Sequence, residues 1–304
     1  MILVFVLYAV LASTFIFAKK VVSYAHPFFL IGFRMILSGF LLLGYHWFRC
    51  ITKEQKFFIS KEHYFLFFKV SLFHIYIAFI CEFWALQYLS ALKTTVMYTS
   101  TPFIAAILSY IIFKEKLTIK KIMGIIIGLA GLAPVIYLQG AGEKGCSEIL
   151  HISLPEVSLA IAIISGAYAW FIVKELMGHG YSLLLINGSA MFVGGILSMI
   201  TALCVTGFTC PVYNWGYFLF WLSLLILSAN VIFYNLYGTL LRIYSITFLS
   251  FAGFLSPVFG TFYDWLFMGG IISWHYILAL VLITAGLYIF YSQELTLRAQ
   301  KVHE

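Results

Sequence analysis

The residue most suited to chemistry in this chain is Glu82, which lies inside the apolar run 73–86. An ionisable side chain at the centre of a bilayer costs roughly 2.5–3.5 kcal/mol on insertion scales, so such residues normally face a helix bundle or a hydrated cavity. There they serve substrate, ion or proton pathways. Glu82 is therefore predicted to bind substrate, and a structural hydrogen bond to a neighbouring helix is the alternative.

His74 lies eight residues before Glu82 in the same apolar segment. On an ideal α-helix this spacing separates two side chains by about 80°, which lets both reach one broad cavity. A histidine in an apolar helix is also common as a packing residue. Substrate binding and packing therefore both remain open for His74.

A second polar set lies near residue 230. Asn230, Tyr234 and Tyr237 have the spacing i, i+4, i+7 and so share one stripe of a helix, and Asn235 lies beside them. This set is predicted to contact substrate. The alternative is hydrogen bonding between helices, at about 0.6 kcal/mol for each bond.

Aromatic residues supply the other candidates. Tyr168 and Trp170 follow small residues in the segment 155–173 and are expected to line a cavity, with lipid contact as the alternative. Tyr98, in the hydroxyl-rich stretch 94–101, is a candidate substrate contact. Arg34 has the reach either to pair with a carboxylate or to extend to the membrane surface, and a structural role is expected for it.

Pro102 and Pro257 are expected to act as hinges. A proline inside a helix removes an N–H and frees a carbonyl one turn earlier, which nearby hydroxyl groups can bind. Thr101 and Ser256, which directly precede the two prolines, carry such hydroxyl groups.

The chain has no recognisable catalytic pattern. It contains no HExxH, no phosphate-binding glycine loop and no GxSxG elbow, and its Asp and His residues lack metal-ligand spacing. Its five cysteines form no CxxC pair and are expected to be free thiols. We therefore predict a protein that is not an enzyme and that needs neither a cofactor nor a metal.

The elements that carry these residues are predicted to be membrane-spanning helices. The 304 residues are 63% hydrophobic and 10% charged, which leaves too little polar surface for a soluble domain. A span needs about 20 apolar residues. The chain has ten suitable runs, at 2–18, 28–48, 64–88, 94–113, 119–138, 155–173, 182–206, 215–240, 247–268 and 272–291. The predicted fold class is an all-α integral membrane protein with ten transmembrane helices.

The net charge of +7 fits membrane topology better than a nucleic-acid site. If the N-terminus is cytoplasmic, most Lys and Arg residues fall in the cytoplasmic loops, as the positive-inside rule requires. The protein is therefore predicted to lie in the cell membrane with both termini in the cytoplasm. Its expected partners are the lipid bilayer and a small-molecule substrate, not nucleic acid, and a homodimer is left open.

The two halves of the sequence are related. A shift of 155 positions, the separation of Pro102 and Pro257, also aligns Gly39 with Gly194. Because five helices in each copy is an odd number, the second copy enters the membrane from the opposite side, as in many secondary transporters. Chance alignment is the alternative. The predicted domains are a first five-helix repeat at 1–139, a polar linker at 140–154, a second inverted repeat at 155–292 and a cytoplasmic tail at 293–304.

One further pattern extends over nearly the whole chain and consists of residues 85–91, Pro102, residues 113–118, Gly124, Gly131, Pro257 and Gly286. With this pattern the chain resembles the EamA-type branch of the drug/metabolite transporter superfamily. It departs from the family in the first span, which has Ala12 and Ser13 where the family usually has Trp-Gly. The second half has Gly270 where the first has Glu115.

This resemblance implies a central cavity walled by the first, third, fourth, sixth, eighth and ninth spans, and transport without ATP hydrolysis. Within the family the chain looks most like the S-adenosylmethionine/S-adenosylhomocysteine carriers of obligate intracellular bacteria. The expected function is therefore exchange of these two metabolites by alternating access. Glu82 would balance the sulfonium and ammonium charges, and Tyr and Trp rings would attract the cations and stack on adenine.

Two alternatives stand beside this expectation. The first is a proton-coupled exporter of amino acids or drugs, with Glu82 as the proton site. The second belongs to another class of protein, a membrane scaffold that transports nothing or a lipid-modifying enzyme.

Overall fold

The computed structural model describes residues 1–53, 59–89, 94, 97–114, 118–140, 153–207, 212–268 and 274–303. Within these residues the regular structure is helical, apart from an isolated antiparallel β-bridge between Ala25 and Val212. Most of the predicted linker lies outside the described residues. The helices are α1 (Ile2–Val22), α2 (Pro27–Lys53), α3 (Lys61–Ala85), α4 (Thr101–Phe113), α5 (Ile119–Gly140), α6 (Leu154–Gly178), α7 (Leu183–Thr206), α8 (Trp215–Leu240), α9 (Ile246–Ala252), α10 (Leu255–Met268) and α11 (Trp274–His303).

Seven segments in the described part of the chain are long and apolar enough to cross a membrane. They are the helices α1, α2, α3, α6, α7 and α8, and the segment Ile246–Tyr263, which joins α9 to the start of α10. The helix α4 and the stretch Ile277–Gln293 of α11 are shorter apolar helices. The prediction of an all-α, multi-pass membrane protein is confirmed.

Two of the predicted spans are interrupted. A turn at residues 99–100 precedes α4, and a turn at residues 253–254 separates α9 from α10. The spans predicted at 94–113 and 247–268 therefore each contain a helix break close to the proline. Pro102 and Pro257 lie in the first turns of α4 and α10, where the N–H that proline lacks has no helical partner to lose.

The last helix is longer than its apolar sequence indicated. The apolar run was expected to end at residue 291, but α11 continues to His303. Residues 293–303 include Glu, Leu, Arg, Ala, Gln and Lys, which favour helix even outside an apolar environment.

The helices form two compact units, and each unit takes helices from both halves of the sequence. One unit contains the first turns of α1 together with α4, α5, α9, α10 and α11. The other contains the rest of α1 together with α2, α3, α6, α7 and α8. All the candidate substrate residues except Tyr98 belong to the second unit.

In the first unit, α5 packs against α11 through glycines. A Cβ atom on Gly286 would lie 2.5 Å from the carbonyl oxygen of Gly124, and one on Gly131 would lie 3.2 Å from that of Ala279. Contacts this close exclude larger side chains, and they let membrane helices pack backbone to backbone. The residue numbers rise along α5 while they fall along α11, so the two helices are antiparallel.

In the second unit, α2 packs against α7 in the same way. Cβ atoms on Gly32 and Gly39 would lie 2.8 Å from Met199 and 2.5 Å from Phe192, respectively. These two helices are also antiparallel. The start of α7 is fixed by Ser182, whose hydroxyl accepts a hydrogen bond from the Leu185 N–H at 3.2 Å, as expected of an N-cap serine.

Candidate substrate site

The helices α3 and α8 each widen into a π-helical segment, at Ser71–Ile77 and Ile226–Phe233. π turns are rare and often mark functional sites. The shift of 155 positions carries residue 71 onto residue 226, so the two wide turns occupy equivalent places in the sequence halves. His74 lies in the first segment and Asn230 in the second.

Four side chains from three helices form an aromatic cluster, which we define as His74, Trp170, Tyr234 and Tyr237. The His74 ring lies edge-on to Trp170 and to Tyr234, with centroids 4.5 and 5.0 Å away. Trp170 stacks on Tyr237 at 4.0 Å. His74, Tyr234 and Tyr237 are each at most 7% exposed, so the cluster is well shielded from solvent. Such a cluster can hold a planar ring or a cation.

The imidazole of His74 has unused hydrogen-bonding capacity. Among the described residues, neither of its ring nitrogens has a hydrogen-bond partner, although both are buried. A buried polar group without a partner costs about 1–3 kcal/mol, so most such groups are paired. His74 is therefore poised to bond to a ligand that enters the cluster.

Arg34, from α2, lies beside this cluster in the same unit. Its Nε–H donates a hydrogen bond of 2.8 Å to Oδ1 of Asn230, and its guanidinium carbon lies 5.7 Å from the centre of the Phe79 ring. Arg34 is 6% exposed and Asn230 is fully buried. This is a charged group held deep inside a helix bundle by a neutral amide and a ring face.

Glu82 supplies a carboxylate on the face of α3 that carries Phe79. Glu82 is half-buried and lies three residues after Phe79, so the two side chains share a helix face. Because the guanidinium of Arg34 lies over the Phe79 ring, this face of α3 is the one next to the buried charge. Tyr234 lies one turn after Asn230, which binds Arg34, and so connects the buried arginine to the aromatic cluster.

Two other candidates make local contacts. The Asn235 amide donates a 2.8 Å hydrogen bond to the carbonyl oxygen of Val231 in its own helix and accepts a long 3.4 Å bond from Asn187 of α7. Tyr168 packs edge-on against Phe73 with centroids 5.3 Å apart.

The hydroxyl-rich stretch before α4 belongs to the other unit. Tyr98 is 37% exposed. The hydroxyls of Ser100 and Thr101 donate to the carbonyl oxygens of Met97 and Tyr98, at 2.6 and 2.7 Å. They therefore bind backbone carbonyls freed by the helix break before Pro102, as expected for hydroxyls near a proline.

Sequence reasoning gave Arg34 only a structural role and did not single out Phe79. The signal for Arg34 was the one used for Glu82, an ionisable residue within a predicted span. Phe79 gave no signal in the sequence, because nothing distinguishes it from the other 30 phenylalanines of the chain.

An all-helical membrane protein with buried ionic and aromatic residues between its helices has the features of a membrane transporter. A sequence profile of the EamA-like transporter family matches residues 1–137. The chain is 33% identical over 261 residues to a protein of Chlamydia muridarum named S-adenosylmethionine/S-adenosylhomocysteine transporter, which covers 85% of this chain and 80% of that protein. The chain belongs to the EamA-like transporter family, and it is a transporter and not an enzyme.

Other relatives agree with this assignment. The protein of the same name from Chlamydia trachomatis serovar D is 32% identical over 262 residues, covering 85% of this chain and 78% of that one. The uncharacterized transporter YetK of Bacillus subtilis is 22% identical over 231 residues, covering 75% and 68%. A crystal structure with 16% identity superposes with a TM-score of 0.72 over 100% of this chain and 97% of its own, which supports the fold.

Proposed function

We propose that this protein exchanges S-adenosylmethionine for S-adenosylhomocysteine across a membrane by alternating access. The observation that carries the proposal is the position of Tyr234, which belongs to an aromatic cluster and lies one turn from Asn230, the partner of the buried Arg34, within one unit. The relatives from two Chlamydia species bear the names of these two metabolites. Both metabolites have a charged amino-acid end, which suits ionic side chains, and a planar adenine end, which suits aromatic rings.

The chemistry of each group suits one part of the substrate. Stacking of a base on an aromatic side chain is worth about 1–3 kcal/mol, and Trp170 and Tyr237 offer such faces. The sulfonium of S-adenosylmethionine is a cation that ring faces attract, by about 2 kcal/mol or more away from water. The free nitrogens of His74 can bond to the adenine or ribose.

The inverted five-helix repeat is part of this proposal, with the domain boundaries 1–139, 140–154, 155–292 and 293–304. Under the shift of 155 positions, α2 corresponds to α7 and α5 to the first part of α11. Each of these related pairs packs antiparallel through glycines. The shift also converts the Gly131–Ala279 contact into the Gly286–Gly124 contact, the reciprocity expected about a two-fold axis.

We also propose the membrane placement expected from the basic loops, with both termini cytoplasmic in a bacterial inner membrane. Near-equivalent repeats would give two states of similar energy, one open to each side. Pro102 and Pro257, each just after a helix break, remain the proposed hinges. Tyr98, Tyr168 and Asn235 remain proposed substrate contacts, and a homodimer remains a proposal.

The proposal can be tested in proteoliposomes loaded with S-adenosylhomocysteine. Uptake of labelled S-adenosylmethionine should rise when the trans substrate is present. Since S-adenosylmethionine carries one more positive charge than its product, each exchange moves one charge inward. An inside-negative potential of 100 mV should therefore favour accumulation by about 2.3 kcal/mol, or about 50-fold.

Two variants separate this proposal from proton coupling. A proton-coupled exporter would show transport that depends strictly on a pH gradient. This dependence should disappear in Glu82→Gln but persist in the control Glu62→Gln. Glu62 is exposed at the start of α3, twelve residues before His74, which corresponds to about 18 Å along an α-helix. Absence of any flux from protein that is folded by size-exclusion chromatography would refute the carrier function.

A further inference from the structure

Arg34 is a charged residue in a position where charge is costly. It lies seven residues beyond the first residue of α2 and is 6% exposed. Ionisable residues persist inside membrane spans mainly where they serve a substrate or ion path. Neither stacking on adenine nor attraction of the sulfonium gives this guanidinium a task in the proposed exchange.

The guanidinium is held in a defined orientation from two sides. On one side Asn230, which is fully buried, accepts its Nε–H at 2.8 Å. Asn230 is itself enclosed, because its amide nitrogen lies 3.2 Å from the sulfur of Met35 and 3.5 Å from that of Met191. On the other side lies the face of Phe79. Orientation matters because a fixed guanidinium plane matches a carboxylate with two parallel hydrogen bonds.

We propose that Arg34 binds the carboxylate at the amino-acid end of the substrate, while Glu82 takes up the neighbouring ammonium. This inference depends on the proposed exchange of adenosyl amino acids. The carboxylate of the substrate would give Arg34 an opposite charge and the ammonium would give one to Glu82, so neither side chain is left uncompensated in the bundle.

The position of Tyr234 supports the geometry. It lies one turn after Asn230, the hydrogen-bond partner of Arg34, and its ring contacts His74 and Trp170. One ligand can therefore reach Arg34 with its amino-acid end and the aromatic cluster with its nucleoside end. A nucleoside without the amino-acid end would gain only the aromatic contacts.

The test compares two ligands that differ only in the carboxylate. S-adenosylmethionine and decarboxylated S-adenosylmethionine compete against uptake of labelled S-adenosylmethionine in proteoliposomes. In the wild type, the decarboxylated compound should inhibit about 30-fold less well or worse, as expected when one member of a buried charge pair is removed. In Arg34→Gln this ratio should fall to near one, because the full ligand loses its partner and the decarboxylated one has none to lose.

Controls distinguish binding from structural support. Arg34→Lys keeps the charge without the planar fork and should give an intermediate ratio. Lys69→Gln, which removes a different cation that lies 4.7 Å from the centre of a phenyl ring, Phe65, should leave the ratio unchanged. If both ligands weaken equally in the Arg34 variants, the residue is structural and the inference is wrong.

The remaining outcomes are also decisive. Equal inhibition by the two ligands in the wild type overturns the inference even if no Arg34 variant folds. If the wild type transports S-adenosylmethionine but the ratio of inhibition by the two ligands is unchanged in Arg34→Gln, only the inference about Arg34 is refuted. Wild-type protein that transports neither metabolite refutes the proposed exchange itself.

Discussion

Replacement of Asn230 by leucine tests whether this amide holds the buried arginine in place. Leucine has a similar shape but cannot accept the Nε–H of Arg34, whose bond to Asn230 is 2.8 Å long. A hydrogen bond to a charged group contributes about 1.5–3 kcal/mol. Asn230→Leu should lower the free energy of unfolding by this amount, and it should raise the KM for S-adenosylmethionine about tenfold because the guanidinium loses its orientation.

The matched control is Asn187→Leu. Asn187 is also fully buried, but its amide donates only a long 3.4 Å bond to the neutral Asn235. Bonds of that kind average about 0.6 kcal/mol between membrane helices. Among the described residues its oxygen has no hydrogen-bond partner, so leucine removes an unpaired polar atom as well.

Both variants can be unfolded by titration with sodium dodecyl sulfate and followed by tryptophan fluorescence, with transport measured on the same preparations. The free energy of unfolding should fall by at least about 1 kcal/mol more in Asn230→Leu than in Asn187→Leu, because the two hydrogen bonds differ by about that amount. Equal losses, or an unchanged KM in Asn230→Leu, would refute the view that Asn230 orients Arg34.

Two further predictions concern the aromatic cluster and the helix contacts. Trp170→Ala removes a ring on which adenine can stack, an interaction worth about 1–3 kcal/mol, so the KM for adenosyl substrates should rise about tenfold. Trp170→Phe, which keeps an aromatic face, should recover most of the loss. An equal KM in both variants would contradict a stacking role. Gly286→Ala places a Cβ 2.5 Å from the Gly124 oxygen and should lower the thermal unfolding midpoint in detergent, with about 1–3 kcal/mol lost. Gly166→Ala, where no heavy atom lies within 4 Å, should be neutral or stabilising, and a similar loss there would disprove the packing explanation.

Much of the site could be predicted because polar residues are rare in these spans. His74, Glu82 and Asn230 stood out by type alone within apolar runs. The i, i+3 spacing of Tyr234 and Tyr237 correctly placed both rings on the same side of α8, where they meet Trp170. That Arg34 of α2 lies over Phe79 of α3, however, depends on how the two helices pack, which sequence spacing within one helix does not encode.

Backbone irregularities could not be predicted. The 80° separation of His74 and Glu82 assumes an uninterrupted α-helix, but the π segment Ser71–Ile77 extends between them, so that angle does not apply. A π turn leaves no composition signature in so apolar a helix. The breaks before Pro102 and Pro257 were also missed, because proline is compatible with a bend within a helix as well as with a helix start.

The two wide turns make the site sensitive to twist. A π turn accommodates an additional residue compared with an α turn, so the segment beyond it is rotated by about 100° relative to a regular helix. Glu82 follows the wide turn of α3, and Tyr234 and Tyr237 follow that of α8. If either π turn became an α turn, these side chains would rotate about the helix axis, away from Arg34 and Trp170. Rotation of parts of α3 and α8 about their own axes could thus separate the binding groups without any helix tilting as a whole.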